Sequence, residues 1–137
     1  MDNTDHEIVE LDMGQGGKKM DMLLEFITNL LKTKKITDKG IGVESFDDGA
    51  IIPLPERKIE LVVTTDSFTV SPLFFRGGNI GTLAAAGTIN DLLMMGAKPI
   101  ALTLALIIRE GLKFSILEEI IKTIVDLSHI FHIKTNY

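Results

Sequence analysis

Arg76-Gly77-Gly78-Asn79-Ile80-Gly81 is the stretch that decides the fold of this 137-residue chain, because it predicts a glycine-rich entry into a helix. Asn79 is a good N-cap residue. The helix is expected to run from Ile80 to Met95, since Gly96 is a typical stop signal. Asp91 then lies in the last turn, where a carboxylate faces the negative end of the helix dipole at a cost of roughly 0.3–1 kcal/mol. A bound cation would remove that cost.

Other acidic residues also stand at the ends of predicted elements. Asp66 follows the β-branched run of residues 59–65, which predicts a strand, and Asp47-Asp48-Gly49-Ala50 precedes a short apolar run. Asp48, Asp66 and Asp91 are therefore predicted to share a divalent ion, with Asp47 as an additional ligand. Magnesium suits such a site, because it takes oxygen ligands and is typically held by one or two carboxylates plus phosphates. The alternative is structural: Asp-Asp-Gly is common turn chemistry, and Asp66 with Ser67 is suited to capping a turn.

The pattern of apolar residues predicts a mixed α+β domain. Spacings of three and four residues indicate an amphipathic helix over residues 17–33. Strands are predicted over residues 50–53 and 59–65 and over residues 98–109, where large and small apolar residues alternate. A capping box, Ser115-Ile116-Leu117-Glu118, is expected to open a last helix. The predicted architecture is a largely antiparallel four-stranded sheet with helices on one face.

Both faces of the strand over residues 98–109 are apolar, which is unusual when helices cover only one side of a sheet. A second sheet from another subunit would bury the spare face, so a homodimer through the apolar sheet face is predicted. The alternative is that a further domain covers it. A hydrophobic content of 45% and a mean hydropathy of +0.26 also indicate apolar surface that meets a partner.

Length and charge narrow the classes of function. The chain is expected to be a single domain, 1–137, with residues 1–16 flexible. Its net charge of −5 argues against nucleic acid or an anionic membrane as a ligand. The acidic start does not look like a signal peptide, and the longest apolar stretch is shorter than the roughly 20 residues of a membrane span. A cytoplasmic location is therefore predicted.

Five motifs between residues 14 and 99 together resemble the N-terminal domain of the hydrogenase expression/formation protein that acts as a carbamoyl dehydratase. This family belongs to a superfamily that includes aminoimidazole ribonucleotide synthetase, selenophosphate synthetase and thiamine-monophosphate kinase. The Pro-Leu-Phe-Phe-x-Gly-Gly-Asn-Ile-Gly string favours the hydrogenase-maturation branch. The motifs are Gly14-Gln15-Gly16-Gly17-Lys18, Phe46-Asp47-Asp48-Gly49-Ala50, Thr65-Asp66-Ser67-Phe68, the string from Pro72 to Gly81, and Asn90-Asp91-Leu92-Leu93-Met94-Met95-Gly96-Ala97-Lys98-Pro99.

The resemblance implies an ATP- and magnesium-dependent activity. In the family, ATP activates a carbamoyl group carried on a C-terminal cysteine, and the product thiocyanate donates cyanide to the iron of [NiFe]-hydrogenase. Carried over residue by residue, the resemblance makes Asp48, Asp66 and Asp91 magnesium ligands. It also implies dimers that close a barrel-like core, and maturation partners including the carbamoyltransferase. The residues expected to bind ATP are Gly16, Gly17, Lys18, Asn79, Asp66 and Asp91.

The glycines of the first motif leave the backbone free to approach a phosphate, and Lys18 opens the helix behind them. The spacing is not that of a Walker A loop, so a flexible helix entry is the alternative explanation. The chain contains no cysteine, so it does not supply the acceptor thiolate, and the family's second domain is expected to lie beyond Tyr137. Whether this chain is itself an enzyme therefore stays open, and no catalytic residue is assigned.

Two other functions compatible with these motifs are retained. One is a related ATP-dependent synthetase or a small-molecule kinase of the thiamine-monophosphate kinase type, which needs no cysteine. The other is a non-catalytic fragment that only docks, through its apolar face, with itself or with maturation partners.

Overall fold

The computed structural model describes residues 8–31, 40–42 and 45–133, and within them it has antiparallel strands and three α-helices. The mixed α and β class predicted from the sequence is confirmed. The strands form two separate two-stranded sheets, β1 with β2 and β3 with β4, instead of one four-stranded sheet. In chain order the elements are α1 (Lys18–Leu31), β1 (Ala50–Leu54), β2 (Ile59–Val63), β3 (Phe74–Phe75), β4 (Gly78–Asn79), α2 (Ile80–Met94) and α3 (Phe114–Ile130), with short 3-10 helices at Leu11–Gly14 and Pro55–Arg57.

The β1–β2 hairpin is set by its proline-containing turn. Pro55 begins a 3-10 turn, and Lys58 closes it in the left-handed region with φ of 53° and a hydrogen bond to the Pro55 carbonyl. In the resulting antiparallel register, Ala50 pairs with Val63 and Leu54 with Ile59. The start of β1 and the end of β2 therefore lie side by side, which brings the residues before Ala50 next to those after Val63.

Helix α2 begins where the Asn79 signal predicts. The Asn79 side chain accepts hydrogen bonds from the backbone N–H groups of Gly81 and Thr82, and the Thr82 hydroxyl accepts one from the Asn79 N–H, which completes a capping box. The helix ends at Met94, one residue before the predicted end, with Gly96 following at a φ of 70°. Asp91 consequently lies in the last turn, as predicted.

Helices α2 and α3 pack together closely at Gly81. A side chain at this position would place its Cβ 2.5 Å from the Ile120 carbonyl oxygen and 3.1 Å from Ile124. Asn79 adds a polar link, because its amide donates to the Thr123 hydroxyl at 2.9 Å. The apolar core lies mainly along these helices; its buried side chains there are Ala85, Ile89, Leu92 and Ile120.

The strand predicted over residues 98–109 is not formed within the chain. Residues 98–109 do not form a strand in the structure. Alternating apolar residues favour a strand only when a neighbouring strand accepts their hydrogen bonds, and neither two-stranded sheet extends to this segment. Several of its large apolar side chains are exposed as a result: Ile100, Leu104, Leu106, Ile107 and Ile108.

The last helix begins two residues earlier than the capping box predicts, since its N-cap is Lys113 and not Ser115. Lys113 occupies the N-cap position without a side-chain hydrogen bond, and Phe114 is the first helical residue. The Lys113 carbonyl accepts the N–H groups of Ile116 and Leu117, so the backbone starts the helix and Ser115 falls inside its first turn. The predicted role of Ser115 as the N-cap is therefore wrong.

The segment before α1 is tied to that helix in the part that the structure describes. Lys19 pairs with Glu10 and Asp12, each at 2.6 Å, and Met13 is buried. The first helix, predicted over residues 17–33, spans Lys18–Leu31, while residues 32–39 lie outside the described part. Among the helices of the described residues, none has the length and apolar character needed to cross a membrane.

Replacing Gly81 with alanine is expected to lower the free energy of unfolding by about 1–3 kcal/mol, the usual cost of overpacking. The added methyl group would meet the Ile120 carbonyl oxygen and push α2 away from α3. The gain of about 1 kcal/mol that alanine brings to a helix interior applies only in part here, because Gly81 is the second residue of α2. Equilibrium unfolding in urea measures the change.

Gly14→Ala is the matched control, since nothing lies within 4 Å of a Cβ built there and its φ is not positive. Its unfolding free energy should stay within about 0.5 kcal/mol of the parent value. Equal stability of the Gly81 variant and the parent would show that the helix contact is not tight.

Candidate functional site

A cavity of about 500 Å³ lies where the open end of the β1–β2 hairpin meets α1 and the end of α2. Its volume is within the range of small-molecule sites. One part of its lining is acidic and another is apolar. The lining residues are Met20, Leu24, Gly42, Phe46, Asp47, Asp48, Gly49, Ala50, Val63, Thr64, Thr65, Asp66 and Asp91.

Two elements bring the carboxylates to this cavity. The hairpin register sets Ala50 opposite Val63, so Asp48 and Asp66 leave the same end of the sheet. The last turn of α2 adds Asp91 from a different part of the chain. Gly49 allows the backbone before β1 to lie close to the end of β2 and to Met95. A Cβ at this position would lie 3.1 Å from the Val63 carbonyl oxygen and 3.5 Å from the Met95 side chain. Four acidic residues, Asp47 included, thus line one cavity.

The carboxylates of the cavity affect one another, as the pKa of Asp91 indicates. Its pKa is raised above the ordinary value, first by burial and then by the negative charges of Asp66 and Asp48. A hydrogen bond with Asp66 contributes in the same direction, because it requires a proton on one of the two carboxyls. This is the electrostatic setting in which a cation is favourable, since it would offset the charges that now raise the pKa.

The acidic residues differ in how free they are to bind a ligand. The Asp47 side chain accepts a hydrogen bond at 3.0 Å from the Asp48 N–H, which is the turn role that Asp-Asp-Gly sequences favour. In the described residues, no three acidic or histidine side chains stand close enough to hold a metal ion by themselves. A magnesium ion bound in this cavity would therefore take one or two of these carboxylates, with phosphates and waters as its other ligands.

The apolar part of the cavity was not predicted from the sequence. Met20 and Leu24 come from α1 and Phe46 from the residue just before the acidic pair. In the sequence, Met20 and Leu24 belong to the helical stripe that predicts an ordinary core face. The only local signal for Phe46 is its place beside Asp47 and Asp48.

The predicted phosphate-binding loop does not line this cavity. Gly16 and Gly17 have positive φ values of 86° and 78°, and their backbone leads directly into α1 at Lys18. A Cβ at either glycine would meet nothing within 4 Å, so the loop is open to a ligand. Met20, two residues after Lys18, is the first residue of α1 that borders the cavity.

Asn79 lies at the other end of α2 from Asp91. The two residues are twelve positions apart, which corresponds to about 18 Å along the helix. The Asn79 side chain is 5% exposed, and both its oxygen and its nitrogen are hydrogen-bonded inside the fold. The structure thus brings Asp47, Asp48, Asp66 and Asp91 together and places Asn79 away from them.

Replacing Asp91 with asparagine is expected to raise the Tm of the metal-free protein at pH 7 by about 1–3 °C, because one of the repelling charges disappears. The pKa of Asp91 is raised in the folded state, so the folded protein holds the proton more tightly than the unfolded one. The stability that this tighter proton binding contributes is fully present at a pH below 3.8, the ordinary pKa of the group. It is lost as the pH rises through the raised pKa of the folded state.

The difference in Tm between Asp91→Asn and the parent should therefore shrink as the pH falls toward 4, which thermal denaturation across pH measures. Asp126→Asn, an exposed change on α3, is the control and should give no such gain. A gap that stays constant or widens at low pH would contradict the repulsion assigned to this cluster.

Comparisons with known proteins identify the family of the chain. The family model described as AIR synthase related protein, N-terminal domain, matches residues 46–135. A hydrogenase expression/formation protein of Methanocaldococcus jannaschii is 50% identical over 117 residues, which is 84% of this chain and 34% of that relative. The carbamoyl dehydratase HypE of Bradyrhizobium diazoefficiens is 40% identical over 107 residues, covering 78% of this chain and 29% of the relative.

A solved structure agrees with the sequence matches. The crystal structure of a HypE–HypF complex contains a chain that superposes with a TM-score of 0.60 at 36% identity, covering 80% of this chain and 33% of that one. The chain thus spans about a third of the length of the relatives it matches. The resemblance drawn from the motifs between residues 14 and 99 is confirmed: the chain belongs to the AIR synthase related protein family, of which it carries the N-terminal domain.

Proposed function

We propose that this chain is the magnesium- and ATP-binding domain of a hydrogenase maturation protein that uses ATP to dehydrate an S-carbamoyl cysteine to a thiocyanate. The observation that carries the proposal is the cavity in which carboxylates from the hairpin and from α2 meet beside an apolar wall. The similarity of the chain to a carbamoyl dehydratase supports the choice of reaction. The family resemblance supports ATP as the cofactor.

Each acidic residue has a defined part in the proposal. Asp48, Asp66 and Asp91 would hold magnesium, one or two of them directly and the rest through bound water, with Asp47 as a further ligand once its turn hydrogen bond is released. Bound magnesium supplies positive charge to the phosphates of ATP. The carboxylates would orient the phosphates through that ion from one side, and Met20 and Leu24 would limit the access of water from another.

The loop before α1 is the proposed second contact with the phosphates. The N–H groups of Gly16 and Gly17, together with the Lys18 ammonium, are chemically suited to anionic oxygens. These residues stand next to α1, whose Met20 borders the cavity.

The 137 residues contain no cysteine, so the thiolate that carries the carbamoyl group comes from outside them.

A homodimer is proposed through the apolar surface that the chain leaves uncovered. Residues 98–108 have no strand partner in the part of the chain that the structure describes, and Leu104 and Ile107 are exposed there. Alternate residues of β2 are exposed as well, namely Ile59, Leu61 and Val63. A second copy would pair with the backbone of the segment and bury these side chains, which removes an edge prone to aggregation.

A second protein partner is also proposed. A relative has been crystallised as a HypE–HypF complex, and we infer that this chain belongs to a protein with a maturation partner of that kind, the carbamoyltransferase. The net charge of −5 gives no reason to propose a nucleic acid or a membrane as a partner. The cytoplasm, where [NiFe]-hydrogenase maturation is expected, is the proposed location.

Calorimetric titration of the chain with ATP, with and without magnesium, tests the nucleotide site. Saturable binding that depends on magnesium is expected, and Asp66→Asn should weaken it by about tenfold or more, because a charged ligand of the cation is lost. Asp126→Asn, which keeps the same change in charge but lies on α3, should bind like the parent. Unaltered binding by Asp66→Asn would show that the metal assignment is wrong.

The titration and an activity assay distinguish the two alternative functions. A folded dimer that binds no nucleotide would favour the non-catalytic assembly module. Phosphoryl transfer to thiamine monophosphate by the full-length parent protein would favour the kinase branch instead.

Sedimentation equilibrium tests the dimer. Leu104→Lys should shift the protein toward monomer by at least tenfold in dissociation constant, because a charge would be buried at the proposed interface. Ile130→Lys is the control, since Ile130 is also exposed but stands at the end of α3. Equal association of the parent and the Leu104 variant would place the interface elsewhere.

A further inference from the structure

The apolar part of the cavity carries information that the carboxylates do not. A magnesium–phosphate ligand accounts for Asp48, Asp66 and Asp91, but it gives no reason for Met20, Leu24 and Phe46 to line the same space. A ligand that contacts both parts has a charged end and an apolar end. Among ligands whose charged end is a metal-bound phosphate, a nucleotide provides such an end in its planar base.

We propose that Phe46 is a specificity-determining residue that stacks on the base of the nucleotide whose phosphates the carboxylates hold. The inference rests on the function proposed above and adds to it the residue that distinguishes a nucleoside triphosphate from a bare polyphosphate. An aromatic side chain suits this role, because every nucleobase presents a flat π face.

The position of Phe46 in the chain supports the assignment. It directly precedes Asp47 and Asp48, and consecutive Cα atoms are only about 3.8 Å apart. A ligand bound through Asp48 therefore lies within reach of the Phe46 ring. Its backbone has a φ of 49°, in the left-handed region that residues with large side chains rarely adopt. This conformation belongs to the turn that delivers both the ring and the carboxylates to the cavity.

The exposure of Phe46 supports it as well. The residue is 57% exposed, although it borders a cavity with apolar neighbours. Its ring is therefore not needed to fill the core, and much of its surface is available to a ligand. Met20 and Leu24 of α1 provide half-buried aliphatic surface in the same cavity, which would contact the base beside the ring.

The charge of the site favours a nucleotide over other amphiphilic ligands. Four carboxylates line the cavity, and none of its lining residues in the described part of the chain is a lysine or an arginine. An anionic lipid or an acidic peptide would be repelled unless a cation came with it. A magnesium-bound triphosphate brings its own cation, so it satisfies the acidic part while its base occupies the apolar part.

Phe46→Leu separates the ring from the metal site. Calorimetry with two probes, magnesium–ATP and magnesium–tripolyphosphate, is the measurement. The variant should lose about tenfold or more in affinity for ATP, the usual effect of removing one stacked aromatic ring, while its affinity for tripolyphosphate stays within about twofold. Phe46→Trp, which retains an aromatic face, should keep most of the affinity for ATP.

Phe26→Leu is the matched control. Phe26 is 52% exposed on α1 and is not among the residues of the cavity, so this variant should bind both probes like the parent. Thermal denaturation of each variant checks that the fold is retained.

The possible contrary results have different meanings. Equal affinity of the parent for ATP and tripolyphosphate, or unchanged ATP binding by Phe46→Leu, would overturn the role of Phe46 and leave the metal–phosphate site in place. An equal loss of both probes in Phe46→Leu would also overturn it, because the ring would then act on the acidic turn. If the parent binds neither probe, the proposed function fails and this inference fails with it.

Discussion

The close contact between the start of α2 and the middle of α3 is the constraint on which the rest of the structure depends. Gly81 lets the Ile120 carbonyl approach to a distance that any side chain would prevent. Asn79 meets two needs at the same place: its oxygen caps α2, and its nitrogen binds Thr123 of α3. Because a buried polar group without a partner is costly, this side chain holds the two helices in one register.

The position of Asp91 follows from that constraint. An α-helix is stiff, so the anchored start of α2 determines where its last turn lies about 18 Å away. The hairpin supplies the other carboxylates independently, through a register that its proline turn defines. The site is thus assembled from two elements whose own stabilising contacts lie elsewhere. The pKa of Asp91 is raised there, first by burial and then by the charges of Asp66 and Asp48.

The chain also leaves a large amount of apolar surface in contact with solvent. The exposed side chains of residues 98–108 and of β2 face no other part of the described chain closely enough to be buried. Exposed apolar patches of this kind usually mark an interaction site. This explains how a chain with 45% hydrophobic residues has a small core, and it is the physical basis of the proposed dimer.

The sequence by itself determined the elements whose signals are local. The Asn79 cap and Gly96 stop of α2 and the proline turn of the hairpin follow from backbone preferences of a few neighbouring residues. The presence of α1 follows from the spacing of its apolar residues, and the motifs sufficed for the family. A strand over residues 98–109 could not be decided in this way, because strand formation requires a partner that lies outside the segment. The start of α3 was missed by two residues because the Lys113 carbonyl, and no side chain, begins that helix.

Only the tertiary structure decided which of the candidate residues share a site. From the sequence, Asn79 and Asp91 were both assigned to ATP, but a helix separates its two ends in space, and only Asp91 reaches the cavity. The apolar wall of Met20, Leu24 and Phe46 was equally invisible, because α1 and the acidic turn are distant in sequence and meet only after packing. Local signals specify elements, whereas a binding site depends on distances between elements that only the packed chain defines.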